Sequence, residues 1–174
     1  MALLIRKFAK SKWKVEQLDN NDDIGSDALT SCLRTTGNTL SVWQVETQEE
    51  VSKGILAIVS NQDRIETIDI IKLDPAELLE KNIDIEVTDG DSVVESLVKS
   101  HRDLSNLTYK KMGIIKDFMI EGIRNNLTQR VNRAQQIELL KDAIKNDLVA
   151  PVALKPKVRE ALGYKNDEKN VQIN

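Results

Sequence analysis

Ile65-Glu66-Thr67-Ile68-Asp69-Ile70-Ile71-Lys72-Leu73 is the most β-prone stretch of the chain. β-Branched residues lose side-chain freedom in a helix and pack well on a pleated surface, so this run reads as a central strand. It is followed at once by Asp74-Pro75-Ala76-Glu77. These residues supply an N-cap acceptor, a proline where a helix needs no N–H, and an acid in the first turn. A strand feeding directly into a short helix is therefore the unit from which the rest of the fold is read.

Upstream, Leu40-Ser41-Val42-Trp43-Gln44-Val45 is a second strand with apolar groups on both faces. Thr47 and Glu50 form a capping box for a helix carrying Val51, Ile55, Leu56 and Val59. Ser26 or Asp27 caps a short helix through Leu33 that ends before Gly37-Asn38. Residues 11–18 alternate around Trp13 and Val15 well enough to predict a half-exposed edge strand. Downstream, Ile83-Asp84-Ile85-Glu86-Val87 is a short strand, Asp89-Gly90 a turn, and Ser92 with Glu95 a further cap.

From there to about residue 148 there is no proline, and glycine occurs only at 113 and 122. Leu107, Ile114, Ile115, Phe118, Met119 and Ile123 span nearly half a helical cylinder, wider than the ~100° stripe of a surface helix. That helix is expected to be buried on more than one side. Asn125-Asn126 is its break, after which Leu127, Val131, Ala134, Leu140 and Ile144 continue a weaker helical pattern. The class predicted is α+β, a small mixed sheet with short covering helices followed by a helical C-terminal half. Residues 1–91 form an acidic α/β lobe, 92–148 a helical lobe packed on it, and 149–174 an extended, partly mobile tail.

The 174 residues are 40% apolar and 30% charged, which excludes a wholly disordered or collagen-like chain. One cysteine excludes an internal disulfide framework, and no Cys or His near Cys32 makes a zinc or redox motif. Ala2-Leu3-Leu4-Ile5 is too short for a signal-peptide core before Arg6 and Lys7 interrupt it, and no stretch approaches membrane-spanning length. A cytoplasmic protein is expected.

The net charge of -3 conceals a segregation. By segment the balance is +5 over 1–15, -14 over 16–95, +7 over 96–165 and -1 over 166–174. Two fields of opposite sign suit a partner surface.

Candidate chemistry lies in the acids and in one basic stripe. Asp69, Asp84, Glu86 and Asp89 stand on or beside neighbouring strands, and carboxylates gathered at strand ends hold Mg²⁺ or Mn²⁺ because hard cations take oxygen ligands. This gives the second functional reading, a metal-dependent phosphodiesterase or nuclease. The acidic run from Asp19 fails as a calcium loop, since Ile24 occupies the position that needs glycine. His101-Arg102-Asp103-Leu104 spells the start of a kinase catalytic loop with no other part of that signature, and His101 is expected on a helix as a boundary residue.

Arg130, Arg133, Lys141 and Lys145 fall within about 120° of a helix, with Ile137 on the same arc. An apolar-basic stripe fits a protein partner better than nucleic acid, because stacking aromatics are missing. The first functional reading is accordingly a non-enzymatic interaction or regulatory protein. It would be an accessory subunit, an adaptor, or an inhibitor of the antitoxin or immunity kind, without a cofactor. It would bind another protein as a hetero- or homo-oligomer through its acidic lobe and these helices, nucleic acid being the third and weakest candidate.

Overall fold

The computed structural model describes residues 2–164. Its strands are β1 (Leu3–Phe8), β2 (Leu40–Val45), β3 (Ile68–Leu73), β4 (Asp84–Val87), β5 (His101–Ser105) and β6 (Thr128–Val131). Its helices are α1 (Ser26–Cys32), α2 (Val51–Ser60), α3 (Pro75–Glu80), α4 (Glu95–Val98), α5 (Tyr109–Arg124), α6 (Arg133–Lys145) and α7 (Pro156–Ala161). The six strands make one sheet in the order β4-β5-β2-β1-β3-β6.

The class is α+β. Each pairing in the sheet is antiparallel, where a mixed sheet was expected. The reason lies in β1. β2 and β3 run parallel to each other and are joined through α2, as a strand–helix–strand order implies. β1 inserts between them, antiparallel to both, with Leu4 opposite Gln44 on one side and Leu73 on the other.

Side-chain alternation gives the sheet two buried faces. On the first, Leu4, Phe8, Val42, Ile71, Leu73 and Leu104 pack with Ala28 and Cys32 of α1 and with Ile115, Met119 and Ile120 of α5. On the second, Ile5, Val45, Ile68, Ile70 and Val131 pack with α2, with Leu140 and Ala143 of α6, and with Val158 of α7. Ile70 and Ile71 are both fully buried, one toward each face. Burying such a side chain contributes about 1.5–3 kcal/mol, which is why this strand carries the strongest apolar signal in the sequence.

Residues 11–18 are not a strand. They form two 3-10 turns, Lys10–Lys12 and Val15–Gln17, joined at Lys14 in the left-handed region with φ 38°. That kink sends Trp13 and Val15 into the same core, 1% and 4% exposed, and alternation around Trp13 has this other origin. Trp13 stacks edge-on against Phe8 at 6.5 Å and donates from Nε1 to Cys32 Sγ at 3.3 Å.

The later half of the chain is mostly helical but contributes β5 and β6, which pair with β2 and β3. Segments 1–91 and 92–148 thus share one sheet. Asn126, with φ 57°, ends α5, and Asn132 caps α6 by a capping box with Gln135, leaving Thr128–Val131 between them as a strand. Residues 149–164 include α7, which seals the second core; the polar end from Lys165 lies outside the described residues. No helix among the described residues is long and apolar enough to cross a membrane.

Candidate functional site

The four acids read as metal ligands do not meet. Asp69 lies on β3, where it faces Arg130 at 4.0 Å. Asp84 and Glu86 are on β4, four strand spacings away, about 19 Å. Each has a partner of its own. Asp84 accepts from Lys111 Nζ at 2.8 Å and from Asn106, and these hydrogen bonds hold its carboxyl below the usual range. Glu86 accepts from Ser105 at 2.6 Å, and Asp89 from Lys99 at 2.6 Å. No group of three His, Cys, Asp or Glu among the described residues is placed to hold a metal ion.

The basic stripe is divided as well. Arg130 belongs to β6 and not to a helix, and its register with Asp69 turns it to the first face of the sheet, whereas α6 covers the second. Arg133, Lys141 and Lys145 are exposed on α6, and Ile137 is half-buried against the second core. The apolar member of the stripe is occupied inside the protein.

What the fold does assemble is a groove on the first face, between α1 and α5. Its volume is about 920 Å³, and Ile24, Leu29, Leu33, Met112 and Gly113 line it. Tyr109 opens α5 at the lip of this groove and is 97% exposed. The open space has a local cause: a Cβ built on Gly113 would meet no heavy atom within 4 Å.

One edge of the groove is an ion pair, Lys116 Nζ to Asp22 at 2.6 Å, with Lys116 only 10% exposed. Burial works against that ammonium, but Asp22 and Asp117 outweigh it and lift Lys116 above the ordinary lysine range. Asp19, Asp23 and Asp27 are exposed on the segment that builds this wall, and none is in an ion pair among the described residues. The segment that leads into this wall is therefore acidic, whereas the groove lining itself carries both signs, with Asp22 tied to Lys116 and an exposed Arg34 beyond the end of α1. Of these residues Leu33 was legible only as the end of a short helix, and Tyr109 carried no periodic signal at all.

A second concavity lies where β1 and β2 part. The two strands pair only through Leu3, Leu4 and Ile5. Beyond them the Arg6 guanidinium fills the gap, with Nε and Nη2 donating to Cys32 O at 3.1 and 2.8 Å and Nη1 to Ser41 O. Burial pulls this group down to about 10, where it still carries its charge at neutral pH.

The cleft beside it is about 700 Å³ and is lined among others by Lys7, Trp43, Ile58, Asp91 and His101. His101 is on β5 and not on a helix. It sits directly across from Trp43, the rings edge to face at 5.0 Å and 73°. Cys32 is no partner for it, being buried in the first core, where its Sγ accepts from Ala9 N and Trp13 Nε1. No protein-family model, curated protein or solved structure matches this chain.

Proposed function

We propose that this chain is an interaction protein of the regulatory or accessory kind, and that the groove between α1 and α5 takes an apolar segment of another protein flanked by basic residues. The observation that carries the reading is the groove itself, an apolar floor that ends at a fully presented tyrosine. Aromatic and methionine side chains are enriched where proteins bind one another, the aromatics because they bury much area at little entropic cost and methionine because its flexible thioether adapts to the partner. Asp19, Asp23 and Asp27, exposed on the segment that leads into one wall, supply the complementary charge for Lys or Arg on the partner, and Arg34 in the lining leaves room for one acid beside them. Such rim charges steer encounter and weaken with salt, so binding should fall as ionic strength rises.

Gly113 separates folding from binding. In a helix interior alanine is about 0.5–1 kcal/mol better than glycine, and the space around this position is open, so Gly113→Ala is expected to raise stability by that amount. Gly113→Gln places a long side chain in the groove without entering the core. Its expected effect is full retention of the melting temperature with binding weakened about 30-fold or more, the cost of losing one central anchor. Immobilised wild-type and Gly113→Ala proteins should retain the same partner from native extract, and Gly113→Gln should not. Equal retention by all three, or a wild-type protein that elutes only as a bare monomer, would remove the reading.

A further inference from the structure

The chain has one histidine, and the sheet gives it a fixed hydrogen-bonding environment. Alternation along β5 places His101, Asp103 and Ser105 on one face, beside Ser41 and Trp43 of β2. Thr88, just after β4, stands between two of these groups, its Oγ1 2.8 Å from His101 Nδ1 and 3.0 Å from Asp103 Oδ2.

The proton positions follow from what each group can do. A carboxylate only accepts, so the Thr88 hydroxyl donates to Asp103. The Thr88 oxygen is then left to accept, and Nδ1 must be the donor. A neutral imidazole has a single N–H, which puts the lone pair on Nε2. Nε2 makes no hydrogen bond among the described residues, and His101 lines the cleft. Burial lowers the imidazole below its ordinary value, with Asp103 opposing and Arg102 adding to the shift, so the neutral ring prevails at neutral pH.

We propose that the cleft is a small-molecule site in which His101 Nε2 accepts the acidic O–H of an aromatic or otherwise apolar-bodied ligand lying against Trp43. Ile58 and Trp43 supply the apolar walls. When the proton passes fully, the O–H bond breaks, Nε2–H forms, and the electron pair stays on the ligand oxygen. The imidazolium is held through Thr88 to Asp103, and Lys7, on the wall of the same cleft, would exchange its pairing with Glu66 for the resulting anion. Thr88 and Asp103 are positioning residues, since they act through the ring. The site lies on the opposite face of the sheet from the core beneath the groove and does not depend on the interaction reading.

The test uses the full-length chain with ¹⁵N-labelled histidine. Long-range ¹H–¹⁵N correlation of the single imidazole should show a neutral ring protonated at Nδ1 in wild type and in Thr88→Ser, and a shift toward the Nε2–H form in Thr88→Val. Acylation of His101 by diethyl pyrocarbonate, followed by peptide mass, should slow about tenfold in Thr88→Val, the factor one hydrogen bond sets on the tautomer ratio. Phenol should protect wild-type His101 from the reagent, and anisole, which lacks the O–H, should not. Gly113→Gln should change none of this. An Nε2–H ring in the wild-type protein, an unreactive His101, or equal effects of phenol and anisole would overturn the proposal.

Discussion

Replacing Trp13 by alanine is expected to cost about 3–5 kcal/mol of unfolding free energy, the range for deleting a large aromatic from a packed interior. Trp13 is 1% exposed, and it closes three contacts at once. Its ring meets Phe8 at the end of β1, its Nε1 donates to Cys32 Sγ at the end of α1, and its backbone joins the two 3-10 turns. The loss therefore reaches beyond a cavity. The segment after Trp13 carries Asp22 and Ile24, which form one wall of the groove, so partner retention should fall together with stability. Urea denaturation gives the number directly, as a lower midpoint with the slope unchanged. Trp13→Phe, which keeps one aromatic ring and loses the other together with the donor, should cost distinctly less. A Trp13→Ala protein within about 1 kcal/mol of wild type would mean that the turns are not built on this residue.

Gly90→Ala is the second large effect, expected at about 1–3 kcal/mol, as for an extra methyl forced into a packed site. A Cβ at residue 90 would lie 2.4 Å from Trp43 Cη2 and 2.6 Å from His101 Cβ. The second of these atoms is fixed to the β5 backbone and cannot swing away. Relief must come from the loop that carries Thr88, so the Thr88–His101 hydrogen bond is lost with the stability. Calorimetric melting and the histidine ¹⁵N signal should change together in this variant. Gly113→Ala provides the opposite sign from the same substitution, because one glycine faces filled space and the other open space.

The apolar periodicities proved reliable where a helix or strand is covered by the core. Leu40–Val45, the strand ending at Leu73, the proline-opened helix after it and the break at Asn125-Asn126 are all where their patterns place them. The two interior strands of opposite fate show the limit. Ile70 and Ile71 announce β3, whereas β1 is interrupted by Arg6 and Lys7 and was legible only as an apolar run too short for a signal-peptide core. Arg6 is tolerated there because its guanidinium is tied to Cys32 O and Ser41 O, and Lys7 because it lies 3.6 Å from Glu66. Neither pairing can be read from a chain in which the partners are about 26 to 59 residues apart.

β5 and β6 were hidden for a related reason. His101–Ser105 alternates weakly because its second face packs polar groups, Thr88, Asp103 and Ser41, rather than a helix. Thr128–Val131 is four residues long and lies between two helices, so a helical pattern runs through it unbroken. One of its ends was visible all the same, in the break at Asn125-Asn126, whereas the cap residue Asn132 was passed over inside the continuing helical pattern.

The groove was not legible because it is made by an absence. Gly113 leaves the space, and α1, more than 75 residues earlier, closes the other side. The charge segregation was legible, and the acids of 19–27 are its part nearest the groove. The opposing basic row was legible only as a row: once Arg130 moves to the sheet and Ile137 to the core, α6 retains three exposed cations.

These two surfaces are separable in one measurement. A photo-crosslinking amino acid is placed at Tyr109, at the groove lip, or at Lys141, on the exposed face of α6, in the full-length protein inside the cells that make it. The expected result is a discrete adduct from position 109, absent from position 141 and lost when Gly113→Gln fills the groove. An adduct from position 141 alone, or from neither position, would contradict the assignment of the α1–α5 groove as the surface through which this protein works.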